Sequence, residues 1–274
     1  VKLSLAIQTP EVPFQLSVAL LSGSLDEKLH KAATLGADGV ELMCYDPASL
    51  DAEALRSRLE ANGLLAAAVA SGGLGAGKIT LLHPEAQIRE LAHSRLADLI
   101  DFAARVAAPV VTIGGFRGRS NGDQQAALVR LGEILSEAAD MAGKLGVRLA
   151  VEPLNRYEAD LIQNAAQGLA FLEKVNHPAL GLLLDTYHVN IEEASWTEPF
   201  ARVFAARKLF HVHLGDNNRL PPGKGLIDFQ TILQTLQTVG YQGFLSAELL
   251  AQPDPDTAAA DTLSYMLSLQ EKVV

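Results

Sequence analysis

Residues 148–186 read RLAVEPLNRYEADLIQNAAQGLAFLEKVNHPALGLLLDT and hold one complete structural unit. An apolar run, RLAVEPL, gives way to polar residues. Apolar residues then recur at 3.6-residue spacing over 165–175, and a second apolar run, LGLLLDT, starts at Leu180. That is a strand, a loop, a helix and a return to a second strand. Both runs are apolar along nearly their whole length, which marks strands buried on both faces and hence a parallel sheet covered by helices. Both also end on an acid, Glu152 and Asp185.

The same alternation continues outward in both directions. Further apolar runs begin near Lys2, Gly39, Leu65, Pro109, Leu209 and Gly243, which makes eight strands with a mean step of about 34 residues. Helical spacing occupies 25–35, 51–61, 85–106, 124–145, 165–175, 196–206, 229–239 and 256–271, also eight segments. Gly36 and Gly146 follow helical runs where a left-handed cap is wanted, and Gly63, Gly181 and Gly243 lie at the returns to strand. Eight equal units close most simply as a (β/α)8 TIM barrel, a single α/β domain over residues 1–274. A doubly wound open sheet would need a Gly-rich phosphate turn after its first strand, and IQTPEVPFQ lacks one.

Composition narrows the function. The 274 residues carry 22 Lys+Arg against 32 Asp+Glu, a net charge of −10, and 49% are hydrophobic. An acidic chain lacks the clustered cations that duplex binding requires, so no nucleic-acid partner is expected. No apolar segment is long enough to span a membrane. VKLSLAIQTP does not read as a signal peptide, and a cytoplasmic location is expected. The single cysteine, Cys44, reads as a small buried residue of the second strand and excludes both a disulfide scaffold and a cysteine-rich zinc site.

In a TIM barrel the C-terminal strand ends converge on one site. Strand five ends in Glu152, strand six in Asp185, strand seven carries His211 and His213, and strand eight ends in Glu248. Three carboxylates on one apolar rim repel one another unless a cation lies between them. Mainly oxygen ligands with one imidazole favour Mn, with Mg, Co or Zn as the other possibilities. His211 and His213 are two apart on a strand and point the same way. His213 lies nearer the catalytic end and is taken as the ligand, with His211 in a deeper supporting role. Asn155, Arg156, Glu158, His188 and Arg219 follow the same strand ends and suit an oxygen-rich substrate. SGGLGAGK and GGFRGR follow strands three and four. The first reads as a mobile lid, and the two loops could present Lys78, Arg117 and Arg119 to an anion. Trp196 reads as packing, and His30, His83, His93 and His177 as solvated.

At EPLNRYE (152–158), LDTYHVNIEE (184–193), HVHLGDNNRLPPGKGLIDF (211–229) and AELL around Glu248, the chain resembles the xylose isomerase-like TIM barrels, specifically their ketose 3-epimerase branch. VKLSLAI, TLLHPEAQIR and IGGFRGR look closest to its 5-keto-gluconate epimerase subgroup. The resemblance implies one divalent metal on Glu152, Asp185, His213 and Glu248, substrate contacts from Glu158, His188 and Arg219, and a homo-oligomer, dimer or tetramer. The expected substrate is a sugar or a sugar acid, whose carboxylate Arg117 would read. A metal chelated by a ketone oxygen and the neighbouring hydroxyl acidifies the intervening carbon and stabilises an enediolate, and Glu152 and Glu248 then serve as base and acid on opposite faces. Rival readings are an isomerase of the hydroxypyruvate isomerase kind, an inosose-type dehydratase, a non-catalytic sugar-binding barrel, and an abasic-site endonuclease. The last needs a zinc cluster with histidines on strands two to four, where Glu41, Ser71 and Gly114 stand instead.

Overall fold

The eight apolar runs form eight parallel strands: β1 (Lys2–Gln8), β2 (Gly39–Met43), β3 (Leu65–Ala70), β4 (Val110–Ile113), β5 (Arg148–Val151), β6 (Leu180–Asp185), β7 (Leu209–Leu214) and β8 (Phe244–Ala247). They pair in chain order, and β8 pairs with β1, so the sheet closes into a barrel without edges. This is the (β/α)8 fold, seen in a computed structural model that describes residues 1–272. Residues 273 and 274, the end of the expected 1–274 domain, lie outside the described residues.

Around the barrel run α1 (Leu25–Thr34), α2 (Ala52–Ala61), α3 (Gly72–Ala76), α4 (Ala86–Arg105), α5 (Gln124–Lys144), α6 (Ala165–Val175), α7 (Thr186–Glu192), α8 (Glu198–Ala205), α9 (Phe229–Val239) and α10 (Pro255–Lys272). Side-chain caps set several of their starts. Ser24 and Glu27 form a reciprocal capping box on α1, and Asp51, Asp123, Asn164 and Asp228 accept the backbone N–H three residues on. Every residue of β2, β6 and β7 is buried, as expected of strands covered by helices outside and filled by side chains inside. Among the described residues no helix is long and apolar enough to cross a membrane.

Two short helices, α3 and α7, have no counterpart among the expected segments, because a run of five or seven residues is too short to display a helical period. The Gly-rich stretch, expected as a lid, is helical and packed on the barrel here. It forms α3, with Leu74 fully buried and Gly73 packed so closely on the Cys44 carbonyl oxygen that no β-carbon would fit. Cys44 itself lies one residue past β2 and is buried.

Candidate active site

Glu152 follows β5 directly, Asp185 ends β6, His213 is the penultimate residue of β7, and Glu248 follows β8. All four are buried, and one donor atom from each lies within 4.8 Å of the others. His213 Nδ1 stands 3.6 Å from Glu152 Oε1 and 3.4 Å from Glu248 Oε2. Asp185 uses Oδ1 to accept the Tyr187 N–H at 2.8 Å, capping α7. Its Oδ2, together with Glu152 Oε1 and His213 Nδ1, has no hydrogen-bond partner. A buried polar atom without a partner costs about 1–3 kcal/mol, so three of them converging on one point call for an occupant. Three carboxylates and one imidazole make a donor set that suits a divalent cation. Gly114 allows the close approach, because a β-carbon there would collide with Glu152 Oε2.

Charge crowding is legible in the acid–base properties. Burial and the neighbouring Glu152 push the Asp185 carboxyl up to about 7. Burial likewise raises Glu152, against the opposing pull of His213. Burial would raise Glu248 too, but His213 and Arg219 bring it below its ordinary value. For His213, burial opposes the charge but Glu41 and Glu248 together overcome it, and its pKa lies well above the usual imidazole range.

His188 is buried beside this cluster, its Nε2 3.8 Å from Glu152 Oε1. Its tautomer follows from Asn155, whose backbone N–H and side-chain amide both donate to Nδ1, at 3.3 and 2.8 Å. Nε2 therefore carries the proton and is an unpartnered donor. Burial and the Arg219 charge hold the ring neutral, with a pKa well below the ordinary value. Arg219 reaches Glu158 Oε1 at 3.1 Å and Glu248 Oε2 at 3.7 Å, and its guanidinium lies over the Tyr187 ring at 5.0 Å. Arg219 takes a left-handed backbone, φ 59°, in a loop wound around Asp216. That buried carboxylate accepts the N–H groups of Asn217, Gly223, Gly225 and Ile227 at 2.8–3.1 Å, which accounts for the PPGKG turn.

The structure thus brings these residues together: Glu152, Glu158, His213, Arg219 and Glu248 line one cleft of about 440 Å³, and Asp185 and His188 stand against the same cluster. Two other expectations need correction. Arg117 does not face the cleft as a reader of substrate carboxylates. It is fully buried, and its guanidinium donates to the carbonyl oxygens of Gly114, Glu152, Leu161 and Ile162. Arg156 is occupied by Glu192, to which it donates from Nε and Nη2 at 2.9 Å each. Trp196, just before α8, packs against the core as expected, and its indole donates to Asn190 at 3.1 Å.

Sequence reasoning overlooked two contributions. Phe14, Leu16 and Val18, from the loop after β1 where no charge or period draws attention, form with Met43 at the end of β2 an apolar wall of the cleft. Glu41, read above only as the absence of a zinc ligand, is fully buried and contacts both His211 and His213. A carboxylate inside the apolar run GVELMCY was the available signal.

Comparison with known proteins agrees with this architecture. The xylose isomerase-like TIM barrel family matches residues 29–269. A ketose 3-epimerase of Arthrobacter globiformis is 31% identical over 245 residues, covering 88% of this chain and 81% of that protein. An L-ribulose 3-epimerase of Mesorhizobium japonicum is 34% identical over 238 residues, 86% of this chain and 78% of that protein. The crystal structure of D-psicose 3-epimerase with D-tagatose from Clostridium cellulolyticum H10 superposes with a TM-score of 0.81 at 22% identity, covering 100% of this chain and 99% of that one. The chain belongs to the xylose isomerase-like TIM barrel family and, within it, is an isomerase of the ketose 3-epimerase branch.

Proposed function

We propose that the protein inverts the hydroxyl-bearing carbon next to the ketone of a ketose or keto-sugar acid, with one divalent cation, manganese by preference, held by Glu152, Asp185, His213 and Glu248. The observation that carries this reading is the convergence of Glu152 Oε1, Asp185 Oδ2 and His213 Nδ1, all buried and all without partners. A cation bound there supplies Lewis acidity that makes the proton beside the ketone removable. Glu152 and Glu248 stand at the two ends of the arc formed by β5, β6, β7 and β8. A sugar between them presents one face to each, so one carboxylate takes the proton and the other returns it from the opposite side. His188 donates from Nε2 to a substrate oxygen, and Arg219, steadied by Glu158 and Tyr187, offers charge at the mouth. The apolar wall around Phe14, Leu16 and Met43 keeps water from the exchanging carbon. A second cavity of about 410 Å³ shares Gly115, Leu154 and Glu158 with the cleft and is flanked by Lys78 and Arg119. Those cations support the inclusion of sugar acids.

The deciding measurement is proton NMR of the manganese-reconstituted and then magnesium-exchanged enzyme with ketohexoses and 5-keto-gluconates in deuterium oxide. The expected result is deuterium entering next to the carbonyl, with inversion at that same carbon. Migration of the carbonyl would make the protein an aldose–ketose isomerase, and loss of water a dehydratase. Absence of exchange with every compound would overturn the catalytic reading.

Cation binding should also depend on pH. Protons compete for the donor atoms, and Asp185, raised to about 7 by burial and Glu152, still holds one at pH 6. His213, with its raised pKa, adds a second competitor of the same sign. Cobalt affinity should therefore weaken as pH falls from 8 to 6, with proton release visible by calorimetry in buffers of different ionisation heat. An affinity flat across that range would contradict the assignment of these donors.

A further inference from the structure

The barrel lumen beneath the cleft contains a group that the proposed reaction does not use. Glu41 projects from β2 with its side chain fully buried. Its Oε2 meets His211 Nε2 at 2.9 Å and His213 Nε2 at 3.0 Å, while Oε1 stands 3.1 Å from His213 Nε2 and 3.4 Å from the Thr112 hydroxyl. The two imidazoles pack edge to face at 5.3 Å, so neither can turn without displacing the other.

An ionised carboxylate only accepts hydrogen bonds, so each ring must present a protonated Nε2 to it. For His213 this decides which nitrogen remains as a lone-pair donor. With the Nε2 proton held by Glu41, the other nitrogen, Nδ1, faces Glu152 and Glu248. We infer that Glu41 is a positioning residue: it clamps His213 and His211 together and, by keeping the proton on His213 Nε2, makes Nδ1 the metal-binding atom. The inference rests on the metal site of the proposed function. It adds the group that sets the orientation and tautomer of the one nitrogen ligand.

The arrangement makes the carboxylate hard to replace. A glutamine at 41 has one acceptor oxygen and one donor amide for two imidazole N–H groups. Either one ring loses its partner, or one ring shifts its proton to Nδ1, where on His213 it would block the cation. Glu41→Gln should therefore lower cobalt affinity by about ten- to a hundredfold in the pH 8 titration, as removal of such a supporting partner does elsewhere. A second readout is the imidazole 1H–15N spectrum of the wild-type chain, both metal-free and zinc-loaded. His213 is expected to keep its Nε2 proton in both states and to show zinc on Nδ1.

Three results would overturn the inference. The variant could bind cobalt as tightly as the wild type. Zinc could appear on His213 Nε2 with the proton on Nδ1. The wild type could bind two cobalt ions and the variant one, which would make Glu41, His211 and His213 a metal site of their own, since their donor atoms also lie within 4.8 Å of one another. A wild-type chain that binds no cobalt would instead remove the proposed metal site, while the metal-free spectrum would still report whether Glu41 holds the Nε2 proton. The wild-type spectra also decide the matter if Glu41→Gln does not fold.

Discussion

Replacing either Glu152 or Glu248 by glutamine is expected to abolish inversion while leaving a folded barrel. Each substitution is nearly isosteric and keeps an oxygen that can ligate, but it removes the proton-accepting charge. General acid–base catalysis by one side chain is worth about 10²–10⁴-fold, and inversion needs both groups in turn. The two variants should differ in a revealing way. Any residual hydrogen exchange in Glu152→Gln is confined to the epimer whose proton faces Glu248, and in Glu248→Gln to the other epimer, because the surviving carboxylate can take and return a proton on its own face only. Solvent deuterium incorporation, followed separately from each pure epimer, measures this directly. Exchange from both epimers in both variants would rule out two bases on opposite faces.

The asymmetry between the glutamates gives that experiment an expected direction. Glu152, raised by burial, and Glu248, brought down by His213 and Arg219 despite its burial, differ in proton affinity although they belong to one cluster. Groups whose surroundings separate them in this way are suited to opposite roles in a proton relay. Arg219 contributes to the lowered side of the difference: it stands 3.7 Å from Glu248 and is itself anchored by Glu158.

How far the sequence foretold the molecule depends on what each residue answers to. Strand and helix positions answer to burial, and burial leaves a period. The apolar runs at Arg148, Leu180 and Leu209 begin where β5, β6 and β7 begin, and the segments at 165–175 and 229–239 coincide with α6 and α9. The rim acids were legible for a related reason: a carboxylate ending an apolar strand is expensive unless something compensates it. Glu41 carries the same signal, yet inside GVELMCY it is no different in kind from a strand residue facing solvent. Only the closed barrel turns it toward β7. Arg117 shows the opposite failure. In IGGFRGR, between glycines, it looks like an exposed cation on a flexible loop, and nothing local reveals that four carbonyl oxygens, two of them more than forty residues away, surround its guanidinium.

The burial of Arg117 leads to the largest stability effect expected for this protein. Its Nη1 donates to Glu152 O at 2.7 Å and to Gly114 O at 3.0 Å, and its Nη2 to Leu161 O at 2.8 Å and Ile162 O at 3.2 Å. The side chain thus ties the end of β4 to the end of β5 and to the loop that leads to α6, and it holds the backbone of Glu152 itself. Burial lowers its pKa to about 10, opposed by Glu152 and Asp160, so it remains charged at neutral pH. Arg117→Ala would take the donor from the buried Glu152 and Leu161 carbonyls, leave Gly114 O and Ile162 O with only their backbone donors, Arg117 N–H and Leu154 N–H, and open a cavity. Lost charge-assisted hydrogen bonds and unsatisfied buried carbonyls cost about 1–3 kcal/mol each, and with the cavity the sum is about 3–5 kcal/mol. For a chain of this size that corresponds to a melting temperature lower by roughly 10 °C. Arg117→Lys should recover only part of the loss, because a single ammonium cannot span carbonyls reached by two separate guanidinium nitrogens. Turnover should fall for neutral ketoses and sugar acids alike, since the displaced group is the Glu152 backbone and not a substrate contact. Thermal melts paired with kinetics on both substrate classes separate the two roles. An unchanged melting temperature with turnover lost for acids alone would restore Arg117 to the substrate.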